Sequence, residues 1–316
     1  MELLTAPAPL LALPARRTRT ARLVVATDFS PTSRRALLFG LRLAGPRSQA
    51  RLVHVLRPTA PESAWTLERA RGRSRSWLAR EARAAAARGL RCSTRLLLGP
   101  IAESIVSEAR RFRAGAIVCG TQGRRGLKRL LLGSVAERLL QTSNLPVVVV
   151  PHRPIRPAFR KVVVAIDFSR ASGAALAFAV SACRRRGAAL EVVHAADTTF
   201  VAMVDPNLGG ALVTRLEHEK ERAQKKLSAV LDALARSGIR ATARLDEGSP
   251  AGKIVGLARR TGADLVVLGT RGLGGAGRFF LGSVSREVVR TAPCPVAVVP
   301  EPKGRSRRRS PSLTLF

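Results

Sequence analysis

Two glycines three positions apart, then nine residues, then a Gly-Ser pair occur twice in this chain: GTQGRRGLKRLLLGS (Gly120 to Ser134) and GTRGLGGAGRFFLGS (Gly269 to Ser283). Glycine lets backbone N–H groups approach an anion with no side chain in the way. Each Gly-Ser pair opens a helical pattern, SVAERLL in one copy and SVSREVV in the other. The free N–H groups and positive dipole end of such a helix favour phosphate. The chemistry is that of a phosphate cradle, present at equivalent places in two halves.

Other sites for chemistry do not form. GSPAGKIV, Gly248 to Val255, has a Gly-Lys pair but is one residue short of a P-loop, with Ile254 where Ser or Thr would meet Mg²⁺. No G-x-G-x-x-G follows the first strand, which argues against a dinucleotide-binding Rossmann site. Cys92, Cys119, Cys183 and Cys294 are scattered without a C-x-x-C pair. That spacing fits small buried hydrophobes in a reducing cytoplasm rather than a disulfide scaffold or a metal site. His54 and His194 end apolar runs with no Asp–Ser constellation nearby and read as structural. No catalytic or metal-ligating residue is assigned.

The elements that must position the glycine loops repeat as well. From Arg22 the first half reads as a short apolar run RLVVATDFS and a helix from Pro31 to about Ala44. The run ARLVHVL and a helix from about Ser63 to Arg88 follow, then LRCSTRLLLG, the helix PIAESIVSEARRF, the run GAIVCG, the glycine loop, a helix and PVVVV. The second half repeats this order from KVVVAIDFS to PVAVVP. Strands that are apolar throughout and alternate with helices specify a parallel sheet covered on both faces. Asp28 matches Asp167 at an offset of 139, His54 matches His194 at 140, and the glycine loops match at 149. The extra residues fall around Asp197 to Gly210, as tandem duplication with a loop insertion predicts. The expected organisation is a tail over 1–20, a first domain over 21–151, a linker over 152–159, a second domain over 160–300 and a basic tail over 301–316.

The chain has 316 residues, 55 Lys+Arg against 21 Asp+Glu, and a net charge of +34. Such a balance attracts polyanions. Only seven of the basic residues are lysine, however, and arginine with alanine dominance is also what a coding bias produces. No stretch approaches the roughly 18 apolar residues of a membrane span. The N-terminal MELLTAPAPLLALPARRTR carries Glu2 and prolines where a secretory leader needs a basic start and an unbroken apolar run.

With VATDFS and VAIDFS, LVHV and VVHA, and both G-x2-G-x9-G-S loops, the sequence resembles the universal stress protein family in its tandem-domain form. The resemblance implies two open five-stranded parallel sheets of Rossmann-like α/β type, of the adenine nucleotide alpha hydrolase-like class, holding ATP with Mg²⁺ at the carboxyl edge. It assigns Asp28 and Asp167 to the adenine side, and Val55 and Ala195 to the adenine contact. Gly120 and Gly269 go to the ribose side. Gly123, Gly133, Ser134 and Val135, with Gly272, Gly282, Ser283 and Val284, go to the triphosphate. Asp28 and Asp167 also fit a plainer role as caps of the following helices. Arg124, Arg125, Lys128 and Arg129 in the first loop fit either a phosphate clamp or a solvated surface, and of these the second loop keeps only Arg278. Ala26 and Ala165 stand where the family often has proline, and the S-G-G-x-D-S loop of related ATP pyrophosphatases is missing.

The reading that follows is a cytoplasmic, ATP-binding stress-response sensor with one site per domain and little or no catalysis, acting on a regulatory protein partner. The rivals are a weak metal-dependent ATPase or phosphotransferase, and a basic accessory protein of nucleic acid. The halves are expected to pair through their last strands as an intramolecular pseudo-dimer, with a further homodimer of the tandem chain as an open alternative.

Overall fold

The computed structural model describes residues 21–45, 48–57, 64–87, 91–121, 132–196, 209–270 and 281–302. The first half runs β1 (Arg22–Ala26), α1 (Pro31–Ala44), β2 (Gln49–Leu56), α2 (Ala64–Ala86), β3 (Arg91–Leu98), α3 (Ile101–Arg111), β4 (Ala116–Gly120), α4 (Ser134–Thr142) and β5 (Val147–Val150). The second runs β6 (Lys161–Ala165), α5 (Arg170–Arg186), β7 (Ala189–Ala196), α6 (Gly209–Arg236), β8 (Ala241–Glu247), α7 (Pro250–Thr261), β9 (Leu265–Gly269), α8 (Ser283–Thr291) and β10 (Val296–Val299). Every strand and helix expected from the apolar pattern is present within a few residues of its anticipated ends.

Local chemistry sets the helix ends. Ser30 and Ser169 cap α1 and α5, each hydroxyl accepting the N–H of the residue three positions on. These serines, not Asp28 and Asp167, are the caps, which corrects the plainer reading of the aspartates. Gly187 and Gly262 end α5 and α7 in the left-handed region, where a Cβ would be strained.

Each half has the strand order 3-2-1-4-5, and within a half all pairings are parallel. The two sheets are not separate. β10 pairs antiparallel with β5, Val296 opposite Val149 and Val298 opposite Val147, giving one ten-stranded sheet. The run VVVV of β5 is fully buried only because β10 lies against it and helices cover both faces. One apolar layer packs α1, α2, α5 and α6 on one face, with Val25, Val118, Val148 and Ala297. The other packs α3, α4, α7 and α8 on the opposite face, with Val24, Ile117, Val149 and Val298. Neighbouring strand residues alternate between the layers, which is why an all-apolar strand is needed.

Candidate functional site

The neighbours β2, β1 and β4 run parallel and bring Val55, Asp28 and Gly120 to the same carboxyl edge. The trio β7, β6 and β9 does the same for Ala195, Asp167 and Gly269. Between β1 and β4, and between β6 and β9, the chain order reverses, leaving a crevice outside the strand ends where α/β sheets bind ligands.

The turn after the first strand is built alike in both halves. Thr27 N–H donates to Val53 O at 2.9 Å and Ile166 N–H to Val193 O at 2.9 Å, which tie the strand end to its neighbour. Asp28 Oδ1 accepts the Ser30 N–H at 3.1 Å, and Asp167 Oδ1 accepts the Ser169 N–H at 3.0 Å. Between them Phe29 and Phe168 adopt φ of 65° and 63°. Left-handed backbone at a non-glycine residue costs on the order of 1–3 kcal/mol and persists only where surroundings enforce it. Here the ring of Phe29 packs on His54 at 4.5 Å and Phe168 on His194 at 4.8 Å. His54 Nδ1 lies 2.7 Å from Thr27 O and His194 Nδ1 lies 2.8 Å from Ile166 O. A carbonyl oxygen only accepts, so Nδ1 carries the proton and each histidine clamps the turn that presents the aspartate. The repeated D-F-S triplet was visible in the sequence; the φ that makes the phenylalanine a clamp was not.

Gly120 and Gly269 have a packing duty. A Cβ on Gly120 would stand 2.7 Å from Thr32 Cγ2, and one on Gly269 would stand 2.9 Å from Ala171 Cβ and 3.0 Å from its backbone carbon. The first turns of α1 and α5 therefore press directly on the strand ends. Gly120→Ala is expected to destabilise the chain by roughly 1–3 kcal/mol in urea unfolding. Adding Thr32→Ser, which removes the offending methyl, should recover much of that loss. The matching Gly269→Ala meets backbone and should have no such rescue.

Thr121 and Gly133 bound the first glycine loop, and Gly133 N–H donates to Thr121 O at 2.7 Å. Gly282 N–H donates likewise to Thr270 O at 2.9 Å. Each loop is thus pinched at its mouth and delivered to the start of a helix. Gly133 and Gly282 are the N-caps of α4 and α8, and neither helix has a side-chain cap. The first intrahelical bonds come from Glu137 and Arg286, to Gly133 O and Gly282 O. Ser134 and Val135, with Ser283 and Val284, are the first two helical residues, whose N–H groups have no intrahelical acceptor. Gly123, Gly272, Arg124, Arg125, Lys128, Arg129 and Arg278 lie outside the described residues.

The halves differ at this helix start in ways the motif comparison missed. Glu137 sits in the first turn of α4, where Arg286 stands in α8. Ser285 Oγ donates to Gly269 O at 2.8 Å, whereas Ala136 occupies that place in the first half.

The remaining reactive groups lie elsewhere or are shut in. Burial pushes the thiols of Cys119, Cys183 and Cys294 up to about 12, which keeps them as protonated apolar groups. Thr32 Oγ1 is 3.1 Å from His152 Nδ1, but Thr32 is buried under Gly120 and its counterpart Ala171 has no hydroxyl. A cavity of about 250 Å³ opens at the amino-terminal ends of β6, β9 and β10, lined by Phe39, Arg42, Arg156, Asp264 and Cys294 among others. No group of three or more potential metal ligands occurs among the described residues. No helix among them is long and apolar enough to cross a membrane.

Known proteins share both sequence and architecture. The sequence profile of the Universal stress protein family matches residues 20–151 and 158–300. Universal stress protein Rv1996 of Mycobacterium tuberculosis is 32% identical over 311 residues, covering 89% of this chain and 95% of that protein. A universal stress protein of Thermus aquaticus is 41% identical over 143 residues, 45% of this chain and 98% of its own length. The crystal structure of a universal stress protein from Archaeoglobus fulgidus superposes with a TM-score of 0.70 over 90% of this chain and 98% of that one, at 22% identity. With two matched copies and a full-length relative in tandem form, this chain belongs to the universal stress protein family.

Proposed function

We propose that each half binds one adenine nucleotide, ATP with Mg²⁺, at the carboxyl edge of its five strands. The chain then acts as a nucleotide-responsive regulator of other proteins. The observation that carries this reading is the pair of helix starts at Gly133 and Gly282. Each follows a glycine loop pinched at its mouth, lacks a side-chain cap, and stands on the crevice beside the Asp28 or Asp167 turn. Orphan N–H groups and the dipole end there suit a triphosphate. The fit extends to the base side, where Val55 and Ala195 stand near the ends of β2 and β7. Asp28 and Asp167 stand just beyond the ends of β1 and β6, each holding its turn by accepting a serine N–H through Oδ1. Mg²⁺ would arrive on the phosphates rather than in a preformed protein cage.

In this reading the chain is a binder and not an enzyme. Hydrolysis needs a positioned base near the attacking water. His54 and His194 spend Nδ1–H on a backbone carbonyl and their ring faces on phenylalanine. Isothermal calorimetry with ATP on the full chain is expected to give two molecules bound per chain. The affinities should be unequal, because Glu137 sets a carboxylate beside one cradle where the other has Arg286. A stoichiometry of one with a nucleotide-free preparation would reject the two-site reading. Rapid Mg²⁺-dependent turnover would instead favour the weak-ATPase alternative.

A further inference from the structure

Both tryptophans of the chain, Trp65 and Trp77, are on α2, and both are exposed, at 69% and 42%. Tryptophan is highly buried on average, so two exposed tryptophans on one helix stand out. Trp77 leans edge-on against Phe29 at 4.9 Å, while Arg69 lies over Trp65 with its guanidinium carbon 5.2 Å from the ring centre.

The same helix carries an arginine stripe. Arg69, Arg73, Arg80 and Arg83 are all exposed, with Ser76 between them, and their spacing of i, i+4, i+7, i+11 and i+14 puts them on one face. The opposite face, Ser74, Leu78, Glu81 and Ala85 at the same spacing, is buried. The stripe is about 21 Å long at 1.5 Å per residue, with Trp65 at its N-terminal end. Among the described residues no carboxylate lies within ion-pair distance of any of the four arginines. The acids of α2 are committed elsewhere, Glu68 to Arg71 and Glu81 to Arg34.

Coding bias does not account for this stripe, because α6, the equivalent helix of the second half, comes from the same chain. It exposes Glu217, Glu219, Glu221 and Asp232 among its lysines and arginines. Composition would have loaded both helices alike; among the described residues only α2 combines an exposed arginine stripe with exposed tryptophans.

We propose that the exposed face of α2 is a binding surface for single-stranded nucleic acid, with the arginine stripe tracking phosphates and Trp65 stacking on a base. Guanidinium groups suit phosphate through planar, paired donors. An exposed ring stacks on any base without regard to sequence. A single strand is favoured over a duplex because stacking needs an unpaired base face. This surface uses none of the glycine-loop residues, so it stands or falls separately from nucleotide binding.

The two tryptophans make the test direct. In the Trp77→Phe variant, Trp65 is the sole tryptophan. Titration with a short oligothymidylate at low salt is expected to quench its emission, and affinity should fall steeply with added salt. Neutralising the stripe (Arg69→Gln, Arg73→Gln, Arg80→Gln, Arg83→Gln) should lower the slope of log affinity against log salt by about 3, at roughly 0.7 per phosphate contact. The matched neutralisation of Arg222, Lys225, Arg236 and Arg240 to glutamine should leave binding within about twofold. Trp65→Ala in the otherwise native chain, followed by fluorescence anisotropy of a labelled strand, should weaken binding roughly tenfold or more. Its side chain is exposed, so the fold is not at stake. Equal losses from the two neutralised sets would overturn the proposal in favour of general attraction by the +34 net charge. It is overturned as well by oligothymidylate binding that leaves Trp65 emission unchanged, or by duplex DNA binding as tightly as the single strand.

Discussion

A chain carrying Gly123→Val and Gly272→Val is expected to lose ATP binding at both sites while keeping its far-ultraviolet circular dichroism and its cooperative unfolding. In the proposed site these glycines let the backbone meet phosphate oxygens. A branched side chain there blocks the approach and resists positive φ. Hydrogen bonds to a charged group contribute about 1.5–3 kcal/mol each, so losing two weakens binding by roughly a hundredfold or more. Each single variant should remove one calorimetric site and leave the other, because the cradles lie in separate halves. Undiminished binding in the double variant would make the loops architectural and remove the main support for nucleotide recognition. The contrast with Gly120 and Gly269 sharpens the test. Those glycines sit under the first turns of α1 and α5, so changing them probes packing rather than ligand contact.

The second large effect concerns the seam. Val148 lies opposite Ala297 where β5 meets β10, and both are 0% exposed. Val148→Asp places a carboxylate in the apolar layer shared by the two halves, beside Val150, Ala297 and Val299. A buried carboxylate with no partner costs several kcal/mol, and the expected loss of stability exceeds about 3 kcal/mol. Urea unfolding of the variant should show a lowered midpoint and, as the halves uncouple, a broadened or two-step transition. An unchanged midpoint would mean that the seam contributes little in solution and that the halves stand as separate units.

The pairing of the halves also explains an asymmetry between strand and loop in what could be read beforehand. Apolar runs such as KVVVA and LVVLG are locally legible because a strand buried on both faces must be apolar at every position, whatever its neighbours are. The internal repeat showed that the two halves fold alike, while the strand order 3-2-1-4-5 within each came from the folded chain. That the two last strands would pair was expected from their short uncovered apolar edges, and the structure pairs them. The runs VVVV and VAVV did not give the direction or register of that pairing, and only their antiparallel register in the folded chain joins ten strands into one sheet.

At the site the division is similar. Spacing alone identified the glycine loops and the helices they feed, because a glycine followed by a helix start is a local arrangement of backbone. The aspartates of VATDFS and VAIDFS were also found locally, but their neighbours' roles were not. The left-handed phenylalanines, the histidines that clamp them, and the contact of Thr32 or Ala171 with a strand-end glycine join residues far apart in the chain, and no single stretch of sequence contains both partners. The arginines of α2 were legible as charge; that four of them share an exposed face with an exposed tryptophan, with the acids of the helix turned to other partners, was decided by the face the helix buries. Sequence determined the elements, their order and the cradle, since these follow from local backbone and apolar pattern. Tertiary structure decided the register of the seam, the clamps and the exposed face of α2, since each depends on how the elements meet once the core has closed.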